Sequence, residues 1–183
     1  LNITPDHLDR HKTLEEYADL KGRVSAFQND GDILVLNKDD EKVMKQGKLS
    51  KAKKVFFSLI DKVDEGAYLE DGSMFTCFDG RKQRVLSVED LNTAMRFQVE
   101  NLLSAMVVAT IVNTAKADII NIAMKFEGLD HRVEWVRKVR GVDFINDSKG
   151  TNMGALQKSL KVFSRPIILI AGGKDKGGDF RVL

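Results

Sequence analysis

The chain has 183 residues, 43% hydrophobic and 31% charged, with a formal net charge of +2. That balance suits one or two globular domains with a real core, and it excludes disordered, collagen-like and strongly basic nucleic-acid-binding classes. The single cysteine, Cys77, excludes an internal disulfide and suits a reducing compartment, and no apolar run is long enough to span a bilayer.

The chain starts at Leu1 in what reads as a strand end, and the polar loop Asn2–Lys12 follows. Thr13-Leu-Glu-Glu16 has capping-box spacing, which predicts a helix from there to about Phe27. Its apolar stripe runs Leu14, Tyr17, position 21 and Val24, so Lys21 falls on the expected inward face. Asp30-Gly31 breaks the chain before a short buried strand, Ile33–Leu36. An exposed charged helix is predicted over Asp39–Lys48, then a strand over Lys53–Ile60. Between 66 and 88, Asp71-Gly72 and Asp79-Gly80 mark hairpin turns between short strands, with Cys77 packed in one of them. Helices are expected at about 98–114 and 116–126.

Around Gly128 the pattern changes. Strands are predicted at Arg132–Val139 and Val142–Ile145 about an Arg140-Gly141 turn, then a helix at Met153–Phe163 and a strand at Ile167–Ala171. No linker or internal repeat interrupts this order, and we place a domain boundary near Phe126–Asp130. No signal peptide is visible in these residues, which makes a cytoplasmic protein the expectation. Both ends look cut, so we expect an internal piece of a longer protein.

Four places could carry chemistry. Asn146-Asp-Ser-Lys-Gly-Thr-Asn152 closes an apolar run and precedes a helix, where open α/β sheets bind ligands and helix N-termini favour anions. An ordinary capped strand-to-helix loop is the alternative. Lys21 on an inward face is either a lysine whose stem packs while its ammonium reaches water, or one held neutral near a phosphate site. The loop Asn2–Arg10 crowds Asp6, His7, Asp9 and Arg10; it lacks zinc spacing, and magnesium sharing phosphate oxygens fits better. Last, Ala171-Gly-Gly-Lys-Asp-Lys-Gly-Gly178 opens from a buried run, with neither GxxxxGK[ST] nor GxGxxG spacing; it is either a loop whose amides and Lys174 or Lys176 meet an anion, or a flexible surface turn.

Five segments, in order and covering nearly the whole chain, resemble the Mur ligase family. They are Leu1–Arg10, Val99-Glu-Asn-Leu-Leu103, Leu129-Asp-His-Arg132, Phe144–Asn152 and Ala171-Gly-Gly-Lys-Asp-Lys176. The Asn-Asp-Ser-Lys and Gly-Gly-Lys-Asp-Lys strings favour the branch that adds D-glutamate. The resemblance implies an α/β chain: the end of a P-loop-type central ATPase domain (1–126), then the start of a Rossmann-like C-terminal domain (127–183). It also implies an ATP- and Mg2+-dependent amide ligase of peptidoglycan synthesis, joining D-glutamate to UDP-N-acetylmuramoyl-L-alanine through an acyl phosphate. A monomer is expected, with no nucleic acid or membrane partner.

By the same resemblance His7 would be a magnesium ligand, and Lys21 would be carbamylated to hold a second magnesium. Gln98 and Asn101 would contact the adenine side of ATP. Arg132 would meet the γ-phosphate, Asp147 the ribose, Lys149 and Thr151 the phosphate and substrate end, and Lys176 a carboxylate. Phe97-Gln98 stands where the family usually has His-Asn, and Met95 replaces a usual glycine. The family's P-loop has no counterpart between Leu1 and Leu183, so the 183-residue piece alone is expected to be inactive. Another ligase of the superfamily, such as a folylpolyglutamate synthetase, and a non-catalytic nucleotide-binding module both remain open.

Overall fold

A computed structural model describes residues 1–5, 10–161 and 163–173, with only the backbone for Thr93 and Ala94. The chain divides into two units. The first comprises Leu1–Ile3 and Glu15–Glu127, the second Thr4–Leu14 and Gly128–Leu183.

Helix α1 (Leu14–Gly22) has Glu15 and Glu16 in its first turn and Lys21 in its last, which suits the helix dipole. It ends five residues before the expected Phe27 and tightens into a 3-10 turn over Arg23–Ser25. This overturns the expected inward stripe. Ala18 and Ser25 are buried, while Lys21 is exposed and Val24 and Phe27 are 84% and 94% exposed. A 3.6-residue period holds only while the helix lasts, and a 3-10 turn has three residues per turn. Gly22 lets α1 approach the next helix closely, because a Cβ there would lie 2.3 Å from Gln46 Oε1.

Strand β1 (Ile33–Asn37) leads through Asp40 to helix α2 (Glu41–Gly47), then to β2 (Lys53–Ser58). The α2 helix buries Val43, Gln46 and Gly47, so it is not the wholly exposed helix expected. Asp40 caps it: Oδ1 accepts from the amides of Lys42 and Val43, both at 2.9 Å, and Oδ2 accepts from the Ile3 amide at 2.8 Å. Asp40→Ala removes all three hydrogen bonds and is expected to cost about 1–2 kcal/mol. A urea midpoint unchanged from wild type would contradict this.

Strands β3 (Gly66–Glu70), β4 (Ser73–Phe78) and β5 (Arg81–Ser87) complete a five-stranded sheet of order β1-β2-β3-β4-β5. The β1–β2 and β2–β3 pairs are parallel, and β3–β4 and β4–β5 are antiparallel. At both hairpin turns, Asp71-Gly72 and Asp79-Gly80, both residues have positive φ (47° and 70°, 49° and 71°), as type I′ turns require. Across β3 and β4, Tyr68 stacks on Phe75 at 5.6 Å, and the Lys82 ammonium sits 4.1 Å from the Phe75 ring centre. Hydrogen bonds from Lys62 and then Lys82 hold the Glu70 carboxyl below its ordinary value.

The chain then makes a 3-10 turn at Val88–Asp90 and a short helix, α3 (Thr93–Arg96), neither expected from the sequence. Helix α4 (Val99–Ile111) follows, then α5 (Lys116–Lys125). The α4 helix buries Val99, Leu102, Leu103, Met106 and Val107. That is i, i+3, i+4, i+7, i+8 spacing, one continuous face. This face joins Val55 and Phe57 of β2, Ala67 of β3, Met74 of β4 and Val85 and Leu86 of β5 in one core.

In the second unit, β6 (Glu134–Val139) and β7 (Val142–Asn146) form an antiparallel pair about Arg140-Gly141, with φ of 49° and 84°. Helix α6 (Met153–Leu160) follows, capped by Asn152 Oδ1 accepting from the Ala155 amide at 2.8 Å. The expected strand at Ile167–Ala171 is absent. Ile168 and Ile170 are 91% and 93% exposed, and the segment pairs with no strand among the described residues. A strand needs a partner for its amides and carbonyls, whatever its composition.

Candidate functional site

In the first unit, polar side chains gather where the parallel strands β1 and β2 end, the edge at which open α/β sheets bind ligands. Asn37, the last residue of β1, is 2% exposed. Its Oδ1 accepts from the Asp39 amide at 2.9 Å, and its Nδ2 donates to Glu100 Oε1 at 2.8 Å. Asp39 accepts from Ser58 Oγ at 2.5 Å and from the Leu59 amide at 2.7 Å. Ser58 Oγ in turn accepts from the amides of Ile60 and Asp61, at 3.0 and 2.7 Å. Glu100 sits in the first turn of α4, which suits its charge.

Gln98 and Asn101 stand at this same helix start. Asn101 Nδ2 donates to Gln98 Oε1 over a long 3.4 Å, and no other hydrogen bond of either side chain occurs among the described residues. Amide groups left this free fit a hydrogen-bonding ligand such as a nucleobase. Lys21, elsewhere in the unit, is exposed with its Nζ 5.4 Å from the Tyr17 ring centre. An open apolar hollow of about 510 Å³ lies against β1, β2 and α4, lined by Leu1, Val35, Phe57 and Val108 among others. No expected site residue lines it, and amide and charged chemistry gathers at the strand ends instead.

In the second unit, the structure brings Arg132, Asp147 and Lys149 to one loop cluster. The turn carrying Arg132 is held in an unusual shape: His131 and Val133 on either side have φ of 67° and 50°. For a β-branched valine that is a strained conformation, which persists only when its surroundings impose it. Here Asp147 Oδ1 accepts from the Val133 amide at 3.1 Å, and the Lys149 amide donates to the His131 carbonyl at 3.0 Å. Glu134 Oε2 accepts from the His131 amide at 2.8 Å, and Asn146 Nδ2 lies 2.8 Å from His131 Nδ1.

Asp147 also accepts from Ser159 Oγ of α6 at 2.5 Å, and its carbonyl from the Gly150 amide at 2.8 Å. Gly150 permits this tight loop, since a Cβ there would lie 2.8 Å from Asp147 Oδ2. Arg132 and Lys149 are exposed, without an ion-pair partner among the described residues, and so fit an anionic ligand. Thr151, at the end of the same loop, is exposed.

His7 and Lys176 lie outside the described residues. No group of three or more His, Cys, Asp or Glu side chains among the described residues could hold a metal ion, and no described helix is long and apolar enough to cross a membrane.

The Mur ligase middle domain family matches residues 1–109. The chain belongs to the Mur ligase family. The UDP-N-acetylmuramoylalanine--D-glutamate ligase of Alkaliphilus oremlandii is 44% identical to it over 183 residues, covering 98% of this chain and 40% of the relative. The ligase of the same name from Thermoanaerobacter sp. (strain X514) is 40% identical over 180 residues, again 98% and 40% of the two chains. The chain thus spans about two fifths of the length of these relatives.

Solved structures share the α/β fold. MurF from Acinetobacter baumannii superposes with a TM-score of 0.69 at 15% identity, over 88% of this chain and 35% of that one. A pseudomurein peptide ligase type C from Methanothermus fervidus does so at 0.56 and 20%, over 80% and 36%.

Of the residues that sequence reasoning named, Lys21, Arg132, Lys149 and Thr151 are exposed and Gln98 and Asn101 share one long contact, while Asp147 is half-buried and accepts from the Val133 amide and from Ser159. It missed Asn37, Asp39, Ser58, Glu100 and Ser159: Asn37 links the Asp39 amide to Glu100, Ser58 donates to Asp39, and Ser159 donates to Asp147. One signal was readable for Asn37: a polar residue directly ending the apolar run Ile33–Leu36.

Proposed function

We propose that this chain is part of an ATP-dependent ligase that adds D-glutamate to UDP-N-acetylmuramoyl-L-alanine in peptidoglycan synthesis. The observation that carries this reading is 40–44% identity to ligases of that name across 98% of the chain. Residues 1–126 are then the later part of the central ATP-binding domain, and 127–183 the first part of a Rossmann-like C-terminal domain. A substrate carboxylate oxygen attacks the γ-phosphorus of ATP, the bond to the β-phosphate bridge oxygen breaks, and ADP leaves. The amine of D-glutamate then attacks the acyl carbon, gives up a proton, and displaces inorganic phosphate. Such transfer depends on positioning and on neutralising charge.

Gln98 and Asn101 hydrogen-bond the adenine side. Asp147 binds ribose while it braces the turn of Arg132, and both of its oxygens retain lone pairs for that second task. Arg132 and Lys149 neutralise phosphate charge, Thr151 stands at the phosphate and substrate end, and Lys176 meets a carboxylate. Magnesium would be held by His7 and by Lys21 once carbamylated, and when bound it would offset the charge of the phosphate oxygens. The described residues form no cage for it by themselves.

The test is phosphate release by the full-length protein with ATP, magnesium and UDP-N-acetylmuramoyl-L-alanine, offering D-glutamate, L-glutamate, L-lysine or no amine. Release only with D-glutamate is expected, and none from the 183-residue chain alone, which holds no GxxxxGK[ST] segment. Release with a different amine, or none at all, would move the reading to another superfamily ligase or to a binding module.

A further inference from the structure

The start of α4 lacks the device that usually fixes a helix N-terminus. Its N-cap, Gln98, has φ −120° and ψ 23° and makes no side-chain capping hydrogen bond. The long Asn101–Gln98 contact cannot supply the missing rigidity. A strong tether reaches this turn from the sheet: the hydrogen bond of 2.8 Å from Asn37 to Glu100, joining residues 63 positions apart.

Asn37 is an expensive choice for packing alone. A buried amide must be paired or it destabilises the fold, and a leucine there would continue the apolar run of β1. Both ends of this amide are engaged, one by the Asp39 amide and one by Glu100. The Asp39 end is anchored in turn by Ser58 and the Leu59 amide, so the base of the tether is rigid.

From this we infer that Asn37 is a positioning residue for nucleotide binding: it clamps Glu100, and so sets where Gln98 and Asn101 present their free amides. The inference rests on the proposed role of those two side chains at the adenine side.

The experiment titrates ATP into the full-length protein at equilibrium, which needs no ligation. Asn101→Ala first tests the underlying role; unchanged affinity would overturn that role and leave the ligase reading to the phosphate assay. Given weaker binding there, Asn37→Ala is expected to raise the ATP Kd about tenfold, as is Glu100→Ala, with the double variant no worse than either single because the two act as one unit. Asn37→Asp sets one carboxylate against another and should bind as poorly. Adding Glu100→Gln to it reverses donor and acceptor and should bring the Kd back to within about threefold of wild type.

A merely structural asparagine would lower the melting temperature while leaving the ATP Kd of the folded variants at the wild-type value. The inference is overturned by an Asn37→Asp variant that binds ATP as wild type does, or by a reversed pair no better than Asn37→Asp alone. Should Asn37→Ala fail to fold, the reversed pair, which keeps shape and hydrogen bond, still decides.

Discussion

Gly66→Ala is expected to unfold the first unit. Gly66 opens β3 with φ of +138°, and a Cβ built there falls 1.7 Å from the Phe56 carbonyl oxygen and 2.7 Å from its carbon. Those are ladder atoms, since Phe56 is the parallel partner of Gly66 and its amide donates to the Glu65 carbonyl at 2.9 Å. No side-chain rotation can relieve a clash with backbone. Relief requires β3 to part from β2, and β3 is the strand where the sheet changes from parallel to antiparallel. A loss above about 4 kcal/mol follows, against a total stability of roughly 5–15 kcal/mol. Gly72→Ala is the control: φ is +70° but nothing lies within 4 Å, so only the backbone term of about 1 kcal/mol remains. Soluble yield and urea midpoint separate the two; equal effects would show that the close approach at Gly66 does not matter.

Lys21→Ala in the full-length protein is expected to lower ligase turnover by about a thousandfold, the loss typical of removing one electrostatic stabiliser of the transition state. Added formate or acetate should restore part of it, by standing in for the carboxylate-like head of a carbamylated lysine. The inward-facing position expected for Lys21 does not occur: it is exposed, with its Nζ 5.4 Å from the Tyr17 ring centre. Dissolved carbon dioxide can therefore reach it, and adds to the lysine nitrogen once the ammonium has given up a proton to water. Turnover equal to wild type would make it an ordinary surface lysine whose stem lies along Tyr17.

Local chemistry was legible in the sequence wherever it was self-sufficient. The Asp-Gly and Arg-Gly pairs need no distant partner to adopt positive φ, and all three hairpin turns formed where they stand. The stripe through Lys21 misled because it assumed that a helix continued past Gly22. Ile167–Ile170 misled for the opposite reason, since its composition suits a strand but a ladder needs a neighbour. At the candidate site, short motifs are what put Asn101, Arg132, Asp147 and Lys149 forward as expectations, and the structure gathers the last three in one loop cluster. The clamp from Asn37 to Glu100 bridges 63 positions, and a single sequence holds no trace of such a pairing.

The charged run Arg81-Lys-Gln-Arg84 is exposed on β5, the last strand of the sheet. An unpaired strand edge is a template on which another chain can polymerise. Two copies meeting along β5 would set these cations against each other, so lateral growth from this side is opposed by repulsion. That protection depends on ionic strength: near 1 M salt the screening length shrinks to about 3 Å, and the barrier to edge-to-edge association fades with it.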